Sequence, residues 1–286
     1  MSRKVLAGIR RGNEFSPNHI GNDAAIFALT VKHLRSKGYT VNEYIETDLQ
    51  TRMLDEDAVF SMARDIKSVR ALKAIEDGGR MVVNSGYGVE NCTREKMTRL
   101  LLANDIAHPR SIFVATDSDA ETMLADEGFN DCWIKRGDFH AIHREDVTYA
   151  RNPEEAKSII REFAIRGIET AVVNEHLVGD LVKFYGVAGT GFFYWFYPTN
   201  CGGQHTKFGN EQINGVAREF PFDVAHLQQL CERSANILNV RIYGGDCIVA
   251  ENGVVRLIDF NDWPSFAPCR DLAAPYIADC ISDIID

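Results

Sequence analysis

GGDCIVAENGVVRLIDFND, residues 244–262, alternates apolar and polar side chains on either side of Glu251-Asn252-Gly253. That tripeptide is a strong turn signal, so the flanking runs, Val240 to Ala250 and Val254 to Phe260, are expected to form an antiparallel hairpin. Strand side chains alternate between faces, which puts Asp259 and Asn261 on one face, and the turn folds Asp246 back alongside them. Three oxygen donors converging from paired strands suit Mg²⁺, with Mn²⁺ as a substitute, because such an ion takes carboxylate, carbonyl and water and keeps substrate phosphates as further ligands. Solvated polar residues on an outer face are the plainer alternative. Leu257, Ile258 and Phe260 weigh against it: they make both faces largely apolar, and a buried Asp or Asn needs partners.

Upstream, strands are expected at Lys4 to Ile9, Val41 to Ile45, Ala58 to Ser61 and Met81 to Val83. They alternate with a helix capped near Asn22 or Asp23 and ended by Gly38, and a helix at Ile66 to Ile75 stopped by Gly78-Gly79. Such alternation implies an α/β unit with a mostly parallel sheet and crossover helices. A helix at Cys92 to Ala103, a strand at Ser111 to Ala115 and a short helix near Ala120 to Glu127 follow. Next come strands at Cys132 to Lys135 and Val147 to Ala150, a helix at Pro153 to Arg166, and three β-rich runs, Thr170 to Asn174, Leu181 to Ala188 and Phe192 to Tyr197. The long polar segment Thr199 to Arg218 precedes a helix at Phe222 to Leu238, and a last helix covers Arg270 to Ile284. The overall class is α/β, or α+β when the antiparallel hairpins are counted.

The 286 residues are enough for two or three subdomains. A formal net charge of −10 without a dense basic stretch argues against nucleic acid and anionic membranes. The apolar run within Met1 to Gly8 is too short for a signal peptide and Gly191 to Pro198 too short to span a bilayer, so a cytoplasmic protein is expected. Seven cysteines, widely spaced and without a CxxC pair, imply neither disulfides nor zinc. The aromatic run Phe192 to Tyr197 suits either a subdomain core, the preferred reading, or a homodimer interface.

On the 244–262 motif the chain resembles the ATP-grasp superfamily, whose members place Asp, then Glu or Asp, then Asn on this kind of hairpin. Asn261-Asp262-Trp263-Pro264 continues that pattern. The resemblance implies an ATP-grasp fold divided into an N-terminal α/β subdomain (1–92), a central subdomain with an ATP lid (93–174) and a C-terminal subdomain with the metal site (175–286). It further implies roles for residues in chain order. Val82 to Ser85, Glu90-Asn91-Cys92 and Lys96 look like the strand, loop and helix that carry a phosphate-contacting lysine. Trp133-Ile134-Lys135 looks like the strand whose lysine reaches the α- and β-phosphates. Val172 to Asp180 looks like the adenine hinge, with backbone groups near Glu175 and Leu177 on the base, Asp180 on the ribose and Lys183 on the phosphates. The family often has a glycine-rich loop over the phosphates; Arg136 to Asp146 has only Gly137, leaving Arg136, His140 or His143 as replacement donors.

The resemblance also implies a reaction: ATP-dependent activation of a small-molecule carboxylate as an acylphosphate, followed by attack of an amine, with Arg241 on the carboxylate or tetrahedral oxygen and Lys183 beside it. A small-molecule kinase is the alternative, suggested by Asp259 in place of the usual glutamate and by LVKFY and IDFNDWPSF, but an acid chain without a basic cluster is poorly suited to a highly phosphorylated acceptor. A non-catalytic nucleotide-binding protein would be expected to have lost metal ligands or lysines. Substrate selection is expected from Arg10, Ser16, Asn18 and His19, and closure over the site from the segment bearing Cys201, Gly202, Gly203, His205 and Lys207.

Overall fold

The computed structural model describes residues 4–16, 20–141, 143–201 and 213–286. Asn18, His19, Gly202, Gly203, His205 and Lys207 lie outside these residues. No helix among the described residues is long and apolar enough to cross a membrane.

Three four-stranded sheets organise the chain. The first is parallel, in the order β2 (Thr40–Ile45), β1 (Val5–Arg10), β3 (Ala58–Ser61), β4 (Met81–Val83). Its strands read as apolar runs because helices cover both faces. On one side α1 (Ile20–Ser36) and the last helix pack through Ile26, Phe27, Leu34, Ile277 and Ile281. On the other, α2 (Ile66–Asp77) buries Leu72 against Ile9 and Val82. Asp65 caps α2 by accepting the Ser68 N–H, a link that removes one unpaired donor from the helix start. Helix α1 begins at Ile20, ahead of the cap expected at Asn22 or Asp23, and Asp23 is turned inward to a different partner.

The helix expected from Cys92 to Ala103 is α4 (Arg94–Ala103), and a short helix not expected from sequence, α3 (Gly86–Asn91), precedes it across a break at Cys92-Thr93. The central sheet follows, antiparallel, in the order β5 (Ser111–Ala115), β8 (Thr170–Glu175), β6 (Cys132–Arg136), β7 (Val147–Ala150). Helices α5 (Ala120–Asp126) and α6 (Pro153–Ile165) cover one face through Leu124, Ile160 and Phe163. The third sheet, also antiparallel, runs β10 (Phe192–Phe196), β9 (Asp180–Val187), β11 (Ile242–Val249), β12 (Val255–Asp262). Its covered face packs on α4 and α7 (Val224–Leu238) through Val182, Phe184, Cys247, Leu257 and Phe260. The aromatic run of β10 is shared between cores: Phe192 and Tyr194 pack with the first, Phe193 and Trp195 with that of the third sheet. Helix α8 (Arg270–Ile285) then returns to α1.

Two sheets each covered on one face leave two faces for each other, and a cleft separates them. The β11–β12 register sets what its floor presents. Asp246 is directly opposite Asp259, with an irregularity after Asp246 that shifts the pairing. Gly245 permits this approach, since a Cβ there would lie 2.2 Å from the Asp259 carbonyl oxygen and 2.7 Å from the Phe184 ring. Replacing Gly245 by Ala is expected to destabilise the protein by about 1–3 kcal/mol through overpacking, read as a lower thermal midpoint; an unchanged midpoint would show that the strands do not pair this closely.

Candidate active site

Alternation assigns the cleft residues strand by strand. On β9, Val182 and Phe184 go into the core while Leu181, Lys183 and Tyr185 line the cleft; on β11, Gly244, Asp246 and Ile248 do so. From the central sheet come Trp133, Lys135, Val147 and Asn174, with Glu175 and Leu177 at the hinge between the sheets. The space between the sheets is about 1580 Å³, open solvent at the mouth included.

One end of the cleft is apolar. Leu177, Leu181, Ile248 and Ile258 form a small cluster of their own, and Trp133 faces the same space, its ring held by an indole N–H donated to His176 Nδ1 at 3.1 Å. Glu175 folds back on the chain, its Oε1 accepting the Arg110 N–H at 2.8 Å.

The middle of the cleft is charged. Arg94, the first residue of α4, donates from Nη1 to Asp259 Oδ1 at 2.7 Å and from Nη2 to Oδ2 at 3.1 Å, a two-pronged pair. Lys183 Nζ lies 2.9 Å from Asp246 Oδ1, and the buried Lys135 Nζ donates to the Ile258 carbonyl at 2.9 Å. Burial alone would raise the Asp259 carboxyl, but the charge and hydrogen bonds of Arg94, with Lys135 and an Asn261 hydrogen bond, hold it well below the usual carboxylate range. Burial pushes Lys135 down to about 7, and the neighbouring Arg94 adds to the effect. Asp246, Asp259 and Asn261 all line the cleft and offer oxygen ligands, although among the described residues no three His, Cys, Asp or Glu side chains stand together as a metal-holding group. Oxygen ligands of this kind fit Mg²⁺.

The far end holds a second set of buried charges. Arg11 donates to Asp23 (2.9 Å), to the Met62 carbonyl (3.0 Å) and to the Trp263 carbonyl (2.8 Å), while Ser16 donates to Asp23. Arg64 donates to the Asp262 carbonyl at 2.8 Å and lies 3.1 Å from its carboxylate. His140 Nε2 sits 3.3 Å from the same carboxylate, and burial pushes this imidazole down to about 3.

Of the residues expected from sequence, Lys135, Glu175, Leu177, Lys183, Asp246, Asp259 and Asn261 are therefore in one cleft, joined by Ser16 and His140. Lys96, Asp180 and Arg241 are elsewhere. Lys96 is half exposed and paired with Glu90 at 2.7 Å; two helical positions from Arg94 is about 200° around the axis, so it faces away. Asp180 is buried and has both oxygens engaged by the Arg218 and Phe220 N–H groups at 2.8 Å, pinning the segment before α7. Arg241 is exposed at the remote start of β11, where its own N–H is bound by Asn84. An odd offset from Asp246 along a strand also turns a side chain to the other face. Arg10, Arg136 and His143 do not line the cleft; Arg136 pairs with Asp138 and Asp146. Arg94, Arg11, Arg64 and Trp133 are among the cleft residues that sequence reasoning did not assign.

Solved structures share this arrangement over the whole chain. D-alanyl-alanine synthetase A from Vibrio cholerae superposes with a TM-score of 0.71 at 12% identity, covering 100% of this chain and 99% of that one. D-alanine–D-alanine ligase from Bacillus anthracis, in complex with ATP, gives 0.70 at 12%, covering 99% and 97%. The chain has the ATP-grasp fold. A RimK domain ATP-grasp protein from Sphaerobacter thermophilus matches with 0.69 at 15%, covering 97% and 99%. No family sequence model matches this chain, and no curated protein matches it in sequence.

Two outcomes follow from the charges. Lys135, being largely neutral above its depressed pKa, should take up a proton when a triphosphate binds at pH 8 and almost none at pH 6, where it is already charged. Calorimetry in buffers of different ionisation enthalpy measures this, and equal uptake in Lys135→Met would refute it. Lys96→Ala should leave nucleotide affinity within about twofold, whereas Arg94→Lys, which loses the two-pronged geometry, should lower it by about tenfold; equilibrium titration with a fluorescent ATP analogue separates the two.

Proposed function

We propose that this chain is an ATP-dependent ligase that activates a small-molecule carboxylate as an acylphosphate for attack by an amine, releasing ADP and phosphate. The observation that carries this reading is the opposed pair Asp246 and Asp259 with Lys183, Arg94 and Lys135 around it, between the free faces of two sheets. The similar structures named as ligases support it.

In this reading the apolar slot of Trp133, Leu177, Leu181 and Ile248 takes the adenine, with hinge backbone near Glu175 and Leu177 on its edge. Lys135 and Lys183 meet the phosphates. Asp246, Asp259 and Asn261 hold Mg²⁺, which neutralises triphosphate charge when bound. The protein's contribution is positioning and charge stabilisation: cations stand where negative charge develops, and the ordered side chains need not reorganise as the phosphoryl group moves. Lys183 bridges the two requirements, since it balances Asp246 and faces the transferred group. Its partner in orienting the acceptor is not Arg241, which is remote from the cleft.

Asp259→Asn keeps the shape but removes the charge that orders Arg94 and the metal. Turnover should fall by about a hundredfold or more, the thermal midpoint should fall as well because Arg94 loses its counter-charge, and unchanged turnover in a variant still folded by circular dichroism would sink the metal assignment. ADP and inorganic phosphate appearing together mark the ligase. ADP with a stable phosphorylated product marks the kinase instead.

A further inference from the structure

Arg11 and Arg64 approach the far end of the cleft from two loops of the parallel sheet, but they are not equivalent. Arg11 spends Nε on the Met62 carbonyl, Nη1 on Asp23 and Nη2 on the Trp263 carbonyl. Arg64 binds Asp262 through Nε and Nη2; its Nη1 makes no hydrogen bond among the described residues, and the side chain lines the cleft. His140 lines it as well and is 5% exposed, with its Nε2 turned to the Asp262 carboxylate at 3.3 Å. Asp23 and Asp262 already face guanidinium groups. The unspent capacity at this end is therefore a cationic N–H edge, which suits an anion rather than an ammonium.

Glu46 holds that edge in place. It is 1% exposed, lies in the 3₁₀ turn after β2, and accepts three backbone N–H groups, those of Gly12, Arg64 and Asp65. One carboxylate thus ties the loop bearing Arg11 to the loop bearing Arg64. A buried carboxylate is costly unless its partners are fully arranged, so its acceptors dictate where the two loops sit.

Resting on the ligase reading, we propose that Arg64 is the specificity-determining residue that binds the carboxylate of the acceptor, with His140 beside it, and that Glu46 is the positioning residue for Arg64. Arg64 lines the same cleft as Lys183, Asp259 and Asn261, so the bound carboxylate shares that cleft with the phosphates. One of its oxygens attacks the γ-phosphorus, the bond from that phosphorus to the β–γ bridging oxygen breaks, and ADP leaves. An amine then attacks the acyl carbon, the bond to the phosphate oxygen breaks, inorganic phosphate leaves and the amine proton passes to solvent.

The full chain is incubated with Mg-ATP, a panel of small carboxylic acids and hydroxylamine as trapping amine, with hydroxamate and ADP as readouts. For an acid that is turned over, Arg64→Met should raise its KM by about tenfold or more and Arg64→Lys should recover part of the loss. Glu46→Gln, which swaps one acceptor for a donor, should raise the same KM several-fold while kcat and the KM for ATP stay within about twofold. A variant that merely loosened the fold would shift both KM values and the melting curve. An acid KM unmoved by Arg64→Met overturns the assignment and leaves the ligase reading standing. Raised acid and ATP KM values together in a destabilised Glu46→Gln overturn the positioning role alone. ATP binding with no hydroxamate from any acid overturns the carboxylate class and the ligase reading together.

Discussion

A carboxylate cannot be carried into the gap between two sheets without a counter-charge, and for Asp259 that counter-charge is Arg94. The two-pronged pair brings together the start of α4 and the end of β12, residues far apart in the chain. Breaking a buried pair by removing one partner generally costs about 3–5 kcal/mol because the other charge is left stranded. The pair therefore fixes more than itself. It sets α4 against the third sheet, orders Asp259 opposite Asp246, and leaves Lys135 beside a like charge that disfavours its proton.

The break between α3 and α4 makes the contact possible. A continuous helix from Gly86 would have rotated Arg94 by 100° per residue from wherever α3 began, with its side chain set by the packing of α3 on α2. Interrupting it at Cys92-Thr93 frees α4 to take its own axis, and Arg94 becomes a first-turn residue aimed into the cleft. The second charged set works in the same way at the other end, where Asp262 receives Arg64 and neighbours His140, so the loops after β3, β6 and β12 converge on one carboxylate.

Residues carried by strands were legible in the sequence because a period of two has only two outcomes. Asp246, Asp259 and Asn261 were placed by alternation and pairing, whereas Lys135 and Lys183 came from the resemblance to the ATP-grasp pattern, and the alternation of their strands puts both in the cleft. Helix and loop residues were not, since a helix offers a continuous range of directions and a loop almost any. Lys96 was assigned where Arg94 serves because nothing local marks the break at Thr93, and the offset of two positions reverses the face. Asp180 was read as a ligand contact, but an acid at the start of a strand next to a long connection can equally anchor that connection, as it does with Arg218 and Phe220. Arg64 and Glu46 carry no sequence pattern at all; only the parallel order β2-β1-β3 brings the ends of these strands side by side.

A net charge of −10 does not conflict with the polyanion that the proposed function requires, once distance is considered. At physiological ionic strength charges are screened over about 8 Å, so acids scattered over the exterior contribute little inside a cleft walled by apolar strands. Within it the balance is local. Arg94 and Lys183 are offset by Asp259 and Asp246, and Arg11 and Arg64 face Asp23 and Asp262. Lys135 has no carboxylate of its own and rests on a backbone carbonyl, with its charged form disfavoured. Such a site is nearly neutral when empty and therefore stable, yet it is one proton and one divalent cation away from being strongly attractive to phosphates. Attraction that develops only as the ligand arrives avoids the repulsion among like charges that a permanently cationic cleft would impose on the folded chain.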